Sequence, residues 1–151
     1  MQEKKKIYFI DAYALIFIGY YAVIKNPIVN SKGFNTSAIY GFMNSLLDLI
    51  KRENPKYVGV CFDKGGSASR SEIFSDYKAN RLETPEAITL GIPYIKEILT
   101  AMDISTVEIE GYEADDIIGT LAKKAEKDDF NVFMVTPDKD FAQLVSKNIF
   151  I

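Results

Sequence analysis

Asn131-Val132-Phe133-Met134-Val135-Thr136-Pro137-Asp138-Lys139-Asp140 is the stretch on which the fold turns. Val132 to Val135 form a short, continuous apolar run of strand length, rich in β-branched and aromatic side chains. Thr136-Pro137 then reads as a helix cap followed by proline at the first helical position. The acids Asp138 and Asp140 stand directly beyond the strand. Working outward, the same arrangement recurs. Ile7 to Ile10 is followed by Asp11, and Tyr57 to Phe62 by Asp63. The weaker, half-alternating run Ser105 to Ile109 precedes Glu113, Asp115 and Asp116, and Ile149 to Ile151 could begin a fifth strand. Apolar strands separated by helix-length segments imply a parallel sheet buried on both faces. The expected fold is a three-layer α/β arrangement, a mostly parallel twisted sheet of about five strands with helices on both faces.

The intervening helices are legible from their spacing. Thr36 to Arg52 places Ile39, Phe42, Met43, Leu46, Leu49 and Ile50 on one face. Pro85 to Met102 places Ile88, Ile92, Ile95, Leu99 and Met102 together, with a kink or restart expected at Gly91 and Pro93. Glu113 to Lys127 carries Ala114, Ile117, Leu121 and Ala125, and Asp138 to Val145 reads as a short final helix. Asn26 to Asn35 is a polar loop. Lys64 to Thr84 is a long irregular segment rich in Gly, Ser, Lys and Arg, and loops of that length are usually functional or mobile. The chain of 151 residues is read as one domain. Its last residues lie in an apolar run, which reads as a domain cut before its end.

Composition narrows the chemistry. The chain is 48% hydrophobic and 26% charged, with net charge −3, so no global basic field marks a simple DNA-binding module. It has no histidine and one cysteine, Cys61, inside an apolar run. That excludes Ser-His-Asp and Cys-His catalysis and any histidine-based zinc site. The stretch Ala12 to Ile24 is too short to span a bilayer, and no signal-peptide pattern follows Met1 to Lys6. The expected setting is cytoplasmic, without a membrane.

In an open parallel sheet, ligands bind beyond the carboxyl ends of the strands. Asp11, Asp63, Glu113, Asp115, Asp116, Asp138 and Asp140 all fall there. Singly, each has a simpler account: Asp11 can cap the helix after it, Asp63 can open the Asp63-Lys64-Gly65-Gly66 turn, and Asp115, Asp116, Asp138 and Asp140 can complement helix dipoles in first turns. Jointly they exceed what capping needs, because two helices open with pairs or triples, and Glu113 and Asp116 share a face at i, i+3. A hard divalent cation bound through oxygen, Mg²⁺ or Mn²⁺, is the better joint reading. In the long loop, Arg70, Lys78 and Arg81 alternate with Phe74 and Tyr77. Such a segment can follow a phosphate backbone and stack on unpaired bases, or simply be a solvated loop docked by its aromatics. There is no P-loop and no G-x-G-x-x-G.

Taken in order, Phe9-Ile10-Asp11, Val60-Cys61-Phe62-Asp63, Tyr77-Lys78-Ala79-Asn80-Arg81, Thr84-Pro85-Glu86, Gly111-Tyr112-Glu113-Ala114-Asp115-Asp116 and Thr136-Pro137-Asp138-Lys139-Asp140 resemble the 5′-nuclease domain of bacterial DNA polymerase I, one of the flap-endonuclease group of PIN-like folds. The resemblance covers essentially the whole chain. It implies a Mg²⁺-dependent (or Mn²⁺-dependent) 5′-3′ exonuclease and flap endonuclease with two metal ions. Its partner would be DNA with a 5′ flap or 5′ end, RNA primer–DNA hybrids included, with a polymerase domain fused downstream. By motif, Asp11, Asp63, Glu113 and Asp115, with Asp116 beside them, resemble ligands of the first metal. Asp138 and Asp140 resemble part of the second. Arg70, Lys78 and Arg81 resemble the basic arm that acts on the scissile phosphate, and residues 64–84 the arch that carries it. Three departures stand out. Ile18 replaces an expected arginine, and Ser69 replaces an expected aromatic before Arg70. The chain also ends before the family's Gly-Asp-x-Ser-Asp-Asn segment and helix–three-turn–helix, so residues 1–151 read as the N-terminal part of the nuclease domain.

The resulting expectation is metal-assisted phosphodiester hydrolysis, weak or absent in this segment alone. Rival readings are a cleavage-inactive DNA-structure-binding module, a PIN-type ribonuclease, and a phosphotransfer or phosphatase domain. The long loop argues against the ribonuclease. The absence of Asp-x-Asp after the first strand argues against phosphotransfer.

Overall fold

The apolar runs become strands whose two faces enter two different cores. In a computed structural model that describes residues 4–64 and 83–151, β1 (Lys6–Asp11) pairs in parallel with β2 (Tyr57–Cys61) on one side and with β4 (Asn131–Val135) on the other. β3 (Ser105–Val107) extends the sheet beyond β2, and β5 (Ile149–Phe150) beyond β4. The order β3-β2-β1-β4-β5 is parallel throughout, as expected from the sequence. Ile10, Val60 and Phe62 face one core and Phe9, Cys61, Val132 and Met134 face the other. Burial on both sides is why these runs are continuously apolar rather than alternating.

One face is covered by α1 (Ala12–Ala22), α2 (Ser37–Glu53) and α3 (Glu86–Ala101). The other is covered by α4 (Ala114–Lys127) and a short 3₁₀ helix (Lys139–Leu144), which contributes Phe141. α1 and α2 cross at a pair of glycines. A Cβ placed on Gly41 would lie 2.4 Å from the Cα of Gly19, so only hydrogen at both positions permits this approach. α2 ends at Asn54, whose left-handed φ of 43° serves as the cap, and Lys51 and Arg52 complement the dipole of the last turn.

Two local expectations are corrected. The third helix does not restart at Gly91 or Pro93 but runs unbroken from Glu86 to Ala101. Pro93 lies on the exposed face, where the carbonyl its ring leaves unbonded can be hydrated. The final helix is 3₁₀, and its cap is Asp138 rather than Thr136. Pro137 is therefore part of the extended link into that helix and not its first residue. Among the described residues, no helix is long and apolar enough to cross a membrane.

Candidate metal centre

The chain runs β1, β2, β3 outward in one direction and then returns to place β4 on the opposite side of β1. The crevice at such a reversal is where open α/β sheets bind ligands. Asp11 stands at this point, as the last residue of β1 and the N-cap of α1. One carboxylate oxygen accepts from the Ala14 N–H at 3.2 Å, and the other accepts from the Thr136 hydroxyl at 3.1 Å. The second bond spans the crevice between the ends of β1 and β4.

Asp63 follows β2, and its Oδ1 accepts from the Ala114 N–H at 2.5 Å. An acid at the end of one strand thus caps a helix that begins fifty residues later, and ties the β2 end to the start of α4. At that start Glu113 and Asp116 form a reciprocal capping box. Glu113 is only 5% exposed, and Gly111, at φ 81°, makes the turn that delivers it. Asp115 Oδ1 accepts from the Asp116 N–H at 2.8 Å. On the β4 side, Thr136 Oγ1 accepts from the Asp138 N–H, and Asp138 Oδ1 accepts from the Asp140 N–H at 2.9 Å.

The acids form two groups that share a member. Burial pushes the Asp11 carboxyl above its ordinary range, the Ala14 and Thr136 bonds oppose this, and the nearby charges of Asp63 and Asp115 add to it. Asp11, Asp63 and Asp115 therefore occupy one electrostatic neighbourhood. Asp115 also lines a cleft of about 300 Å³ with Asp116, Asp138 and Asp140, floored by Gly119, Phe141 and Leu144. Glu113 is turned into the capping box between the two groups. Among the described residues, no three acidic side chains are gathered tightly enough to enclose an ion. The carboxylates form a rim and not a cage. In chemistry the all-oxygen donor set fits a hard cation, and magnesium commonly uses one or two carboxylates and keeps several waters.

Helix capping by single acids is thus visible in the structure. Asp11, Asp63, Glu113, Asp116 and Asp138 each hold a helix start, while Asp11, Asp63 and Asp115 share a like-charge neighbourhood that capping does not require. Thr136 was missed as a site residue, because its position before a proline reads as a cap. Its hydroxyl joins Asp11 to the Asp138 backbone. Arg70, Phe74, Tyr77, Lys78 and Arg81, together with Ser69, lie outside the described residues. Ile18 is half-exposed on α1, two turns beyond Asp11.

A fully parallel sheet in this order, with carboxylates at the ends of β1, β2 and β4, defines the PIN-like 5′-nuclease fold. A bacteriophage T5 flap endonuclease, crystallised as a pseudo-enzyme–product complex with DNA and metal ions, shares it with a TM-score of 0.67 at 21% identity, over 96% of this chain and 53% of that one. The chain belongs to the family of the 5′-3′ exonuclease, N-terminal resolvase-like domain, whose model matches residues 6–151. It is 42% identical over 147 residues to a 5′-3′ exonuclease of Aquifex aeolicus, covering 97% of this chain and 50% of that relative. It is also 42% identical over 147 residues to the DNA polymerase I of Bacillus subtilis, covering 97% of this chain and 16% of that relative. The chain thus spans half or less of the curated relatives it matches.

Proposed function

We propose that this chain is the carboxylate-bearing part of a 5′ nuclease that hydrolyses phosphodiester bonds at 5′ flaps and 5′ ends of DNA, in a cytoplasmic protein with a polymerase domain downstream. The observation that carries the reading is Asp115, which belongs both to the Asp11–Asp63 neighbourhood and to the Asp138–Asp140 cleft. By the family motif, Asp11, Asp63, Glu113 and Asp115, with Asp116 beside them, would hold one Mg²⁺ or Mn²⁺ ion, and Asp138 and Asp140 would supply part of the site for a second. Bound there, such ions would supply Lewis-acid polarisation of the phosphoryl group and a bound water of lowered pKa.

The chain's own residues do the rest. Thr136 fixes the orientation of the Asp11 carboxylate across the crevice, and the Ala114 N–H fixes that of Asp63. Both acids are thereby held in place before substrate arrives, which avoids reorganisation during the reaction. Arg70, Lys78 and Arg81 are assigned to the scissile and neighbouring phosphates on the strength of the family resemblance, and Phe74 and Tyr77 to unpaired bases because aromatics interleaved with basic residues suit stacking. No histidine or reactive thiol is called on, and the thiol of Cys61 is buried and pushed up to about 12 by that burial, with the Asp11 charge adding to it.

The test is cleavage of a 5′-flap DNA labelled at its 5′ end, titrated with Mg²⁺ and Mn²⁺, beside the double variant Asp115→Asn, Asp138→Asn. Metal-dependent release of the flap, lost in the variant, is the expected result. A second reading, a DNA-structure-binding module without cleavage, draws on the exposed apolar Ile18 of α1, where the family resemblance leads one to expect an arginine. Flap binding with no cleavage in either metal would favour it. Absence of both cleavage and any metal effect on folding would return the acids to helix capping.

A further inference from the structure

Beside the acidic rim lies a basic position that the family motifs do not include. Lys96 sits on α3, and its ammonium lies 4.9 Å above the ring of Phe62, the residue immediately before Asp63. Tyr13, two residues beyond Asp11 in α1, meets the same ring in a T-shaped contact with centroids 6.2 Å apart. Tyr13 also lies in the field of both Asp63 and Glu108, so Lys96, Phe62, Tyr13 and Glu108 occupy one stretch of rim with Asp63. Lys96 is paired with Glu108 at 2.5 Å, and each side chain is about one-third exposed, at 35% and 33%. Lys64, which follows Asp63 directly, adds a second positive charge near Glu108.

An ion pair this open to water contributes little to folding, because solvent screens it and two long side chains must be ordered to make it. Its components can therefore exchange partners at low cost. Lys64 and Lys96 thus set two positive charges against Glu108 and Asp63 at the edge of a strongly negative cleft. A polyanion reaching that cleft needs such cations, since the carboxylates by themselves repel its phosphates.

We infer that Lys96, with Lys64 beside it, binds a backbone phosphate of the nucleic acid entering the site, and that Glu108 occupies Lys96 until that phosphate displaces it. The inference rests on the nuclease reading given above. It assigns Lys96 to binding and positioning, not to the bond-breaking step. Glu108 is thereby a competitor of the phosphate, and this distinguishes the arrangement from an ordinary structural ion pair, in which the two partners would be equivalent.

The experiment measures binding of a fluorescent 5′-flap DNA to the full chain across a salt series, with EDTA present to prevent cleavage. It compares the wild type with Lys96→Ala, Lys96→Arg and Glu108→Gln, each checked for an unchanged unfolding temperature. Loss of one phosphate contact lowers the slope of log affinity against log salt by about one. Between 50 and 200 mM salt, the wild type should then lose about threefold more affinity than Lys96→Ala. Lys96→Arg should retain the wild-type slope, and Glu108→Gln should bind at least as tightly as the wild type. An unchanged slope in Lys96→Ala would overturn the inference, as would equal weakening by Lys96→Ala and Glu108→Gln. Failure of the wild type to bind flap DNA at all would instead remove the nuclease reading on which the inference rests.

Discussion

Replacing Gly41 by alanine tests the helix crossing that sets α1, and with it Asp11, against the sheet. The added Cβ would stand 2.4 Å from Gly19 Cα, 2.5 Å from Gly19 C and 2.7 Å from Gly19 O. Carbon atoms pack comfortably near about 3.5 Å, so the helices must part by about 1 Å. The obstacle is backbone, which cannot rotate aside as a side chain would. Separation on that scale also loosens Ala12, Ile16, Ala38, Phe42 and Leu46, all fully buried in the same core. Overpacking costs about 1–3 kcal/mol, and backbone on both sides places this case at the upper end. Alanine is favoured over glycine inside a helix by about 1 kcal/mol, which offsets part of that. The net expectation is a loss of about 2 kcal/mol, or about 4–8 °C in Tm for a domain of this size. Two internal controls carry the same propensity gain without the clash. A Cβ on Gly91 would meet Ile39 Cγ1 at 3.4 Å, and one on Gly119 would meet only the tip of Leu144 at 3.2 Å. Gly91→Ala should be stabilising by about 0.5–1 kcal/mol and Gly119→Ala within about 0.5 kcal/mol of wild type. Thermal and urea unfolding followed by far-ultraviolet circular dichroism would measure all three. A Gly41→Ala protein as stable as Gly91→Ala would refute the close crossing.

Two further predictions address the site and the sheet. Asp63→Ala should lose about 1–2 kcal/mol through the uncapped Ala114 N–H, whereas Asp63→Asn keeps an acceptor there and should lose less than half of that; the wild type is expected to gain unfolding temperature in Mg²⁺ and both variants to lose that gain, and its retention in Asp63→Asn would exclude Asp63 from the metal site. Burial, with the hydrogen bond to Glu53 and its charge adding to it, pushes the Tyr8 hydroxyl from 10.0 up to about 12. A raised acid group remains protonated in the fold after it has ionised in the unfolded chain, so stability falls as pH rises from 10 to about 12 and then levels. Alkaline unfolding of Tyr8→Phe should lack that part of the slope, and an identical pH profile for the two proteins would refute the assignment.

Much of the fold was legible because periodicity and burial are local signals. The β1, β2 and β4 runs are apolar throughout, and only a strand covered on both sides needs that. The helices over Ser37–Glu53 and Ala114–Lys127 were placed to within a residue at each end, since the apolar stripe and the caps coincide. Of the kink or restart expected at Gly91 and Pro93, the restart did not occur, because what a proline does to a helix depends on whether its turn faces solvent, and that is decided by packing. Placement of the acids beyond strand ends was equally readable. Their division was not.

Composition alone removed histidine-dependent chemistry, and the order of the motifs identified the family. What the tertiary structure decided is which acids share a neighbourhood. Asp11 and Thr136 are 125 residues apart, and Asp63 and Ala114 are 51 apart, yet each pair is hydrogen bonded. Such pairs depend on the position of β4 beside β1 and of α4 beneath β2, and no local spacing encodes either. The same holds for Lys96, which has no motif of its own and gains meaning only from the ring of Phe62 below it and the carboxylate of Glu108 beside it. Sequence specifies the side chains that can carry a charge. Desolvation and proximity, which determine what that charge does, arise only when distant segments pack together.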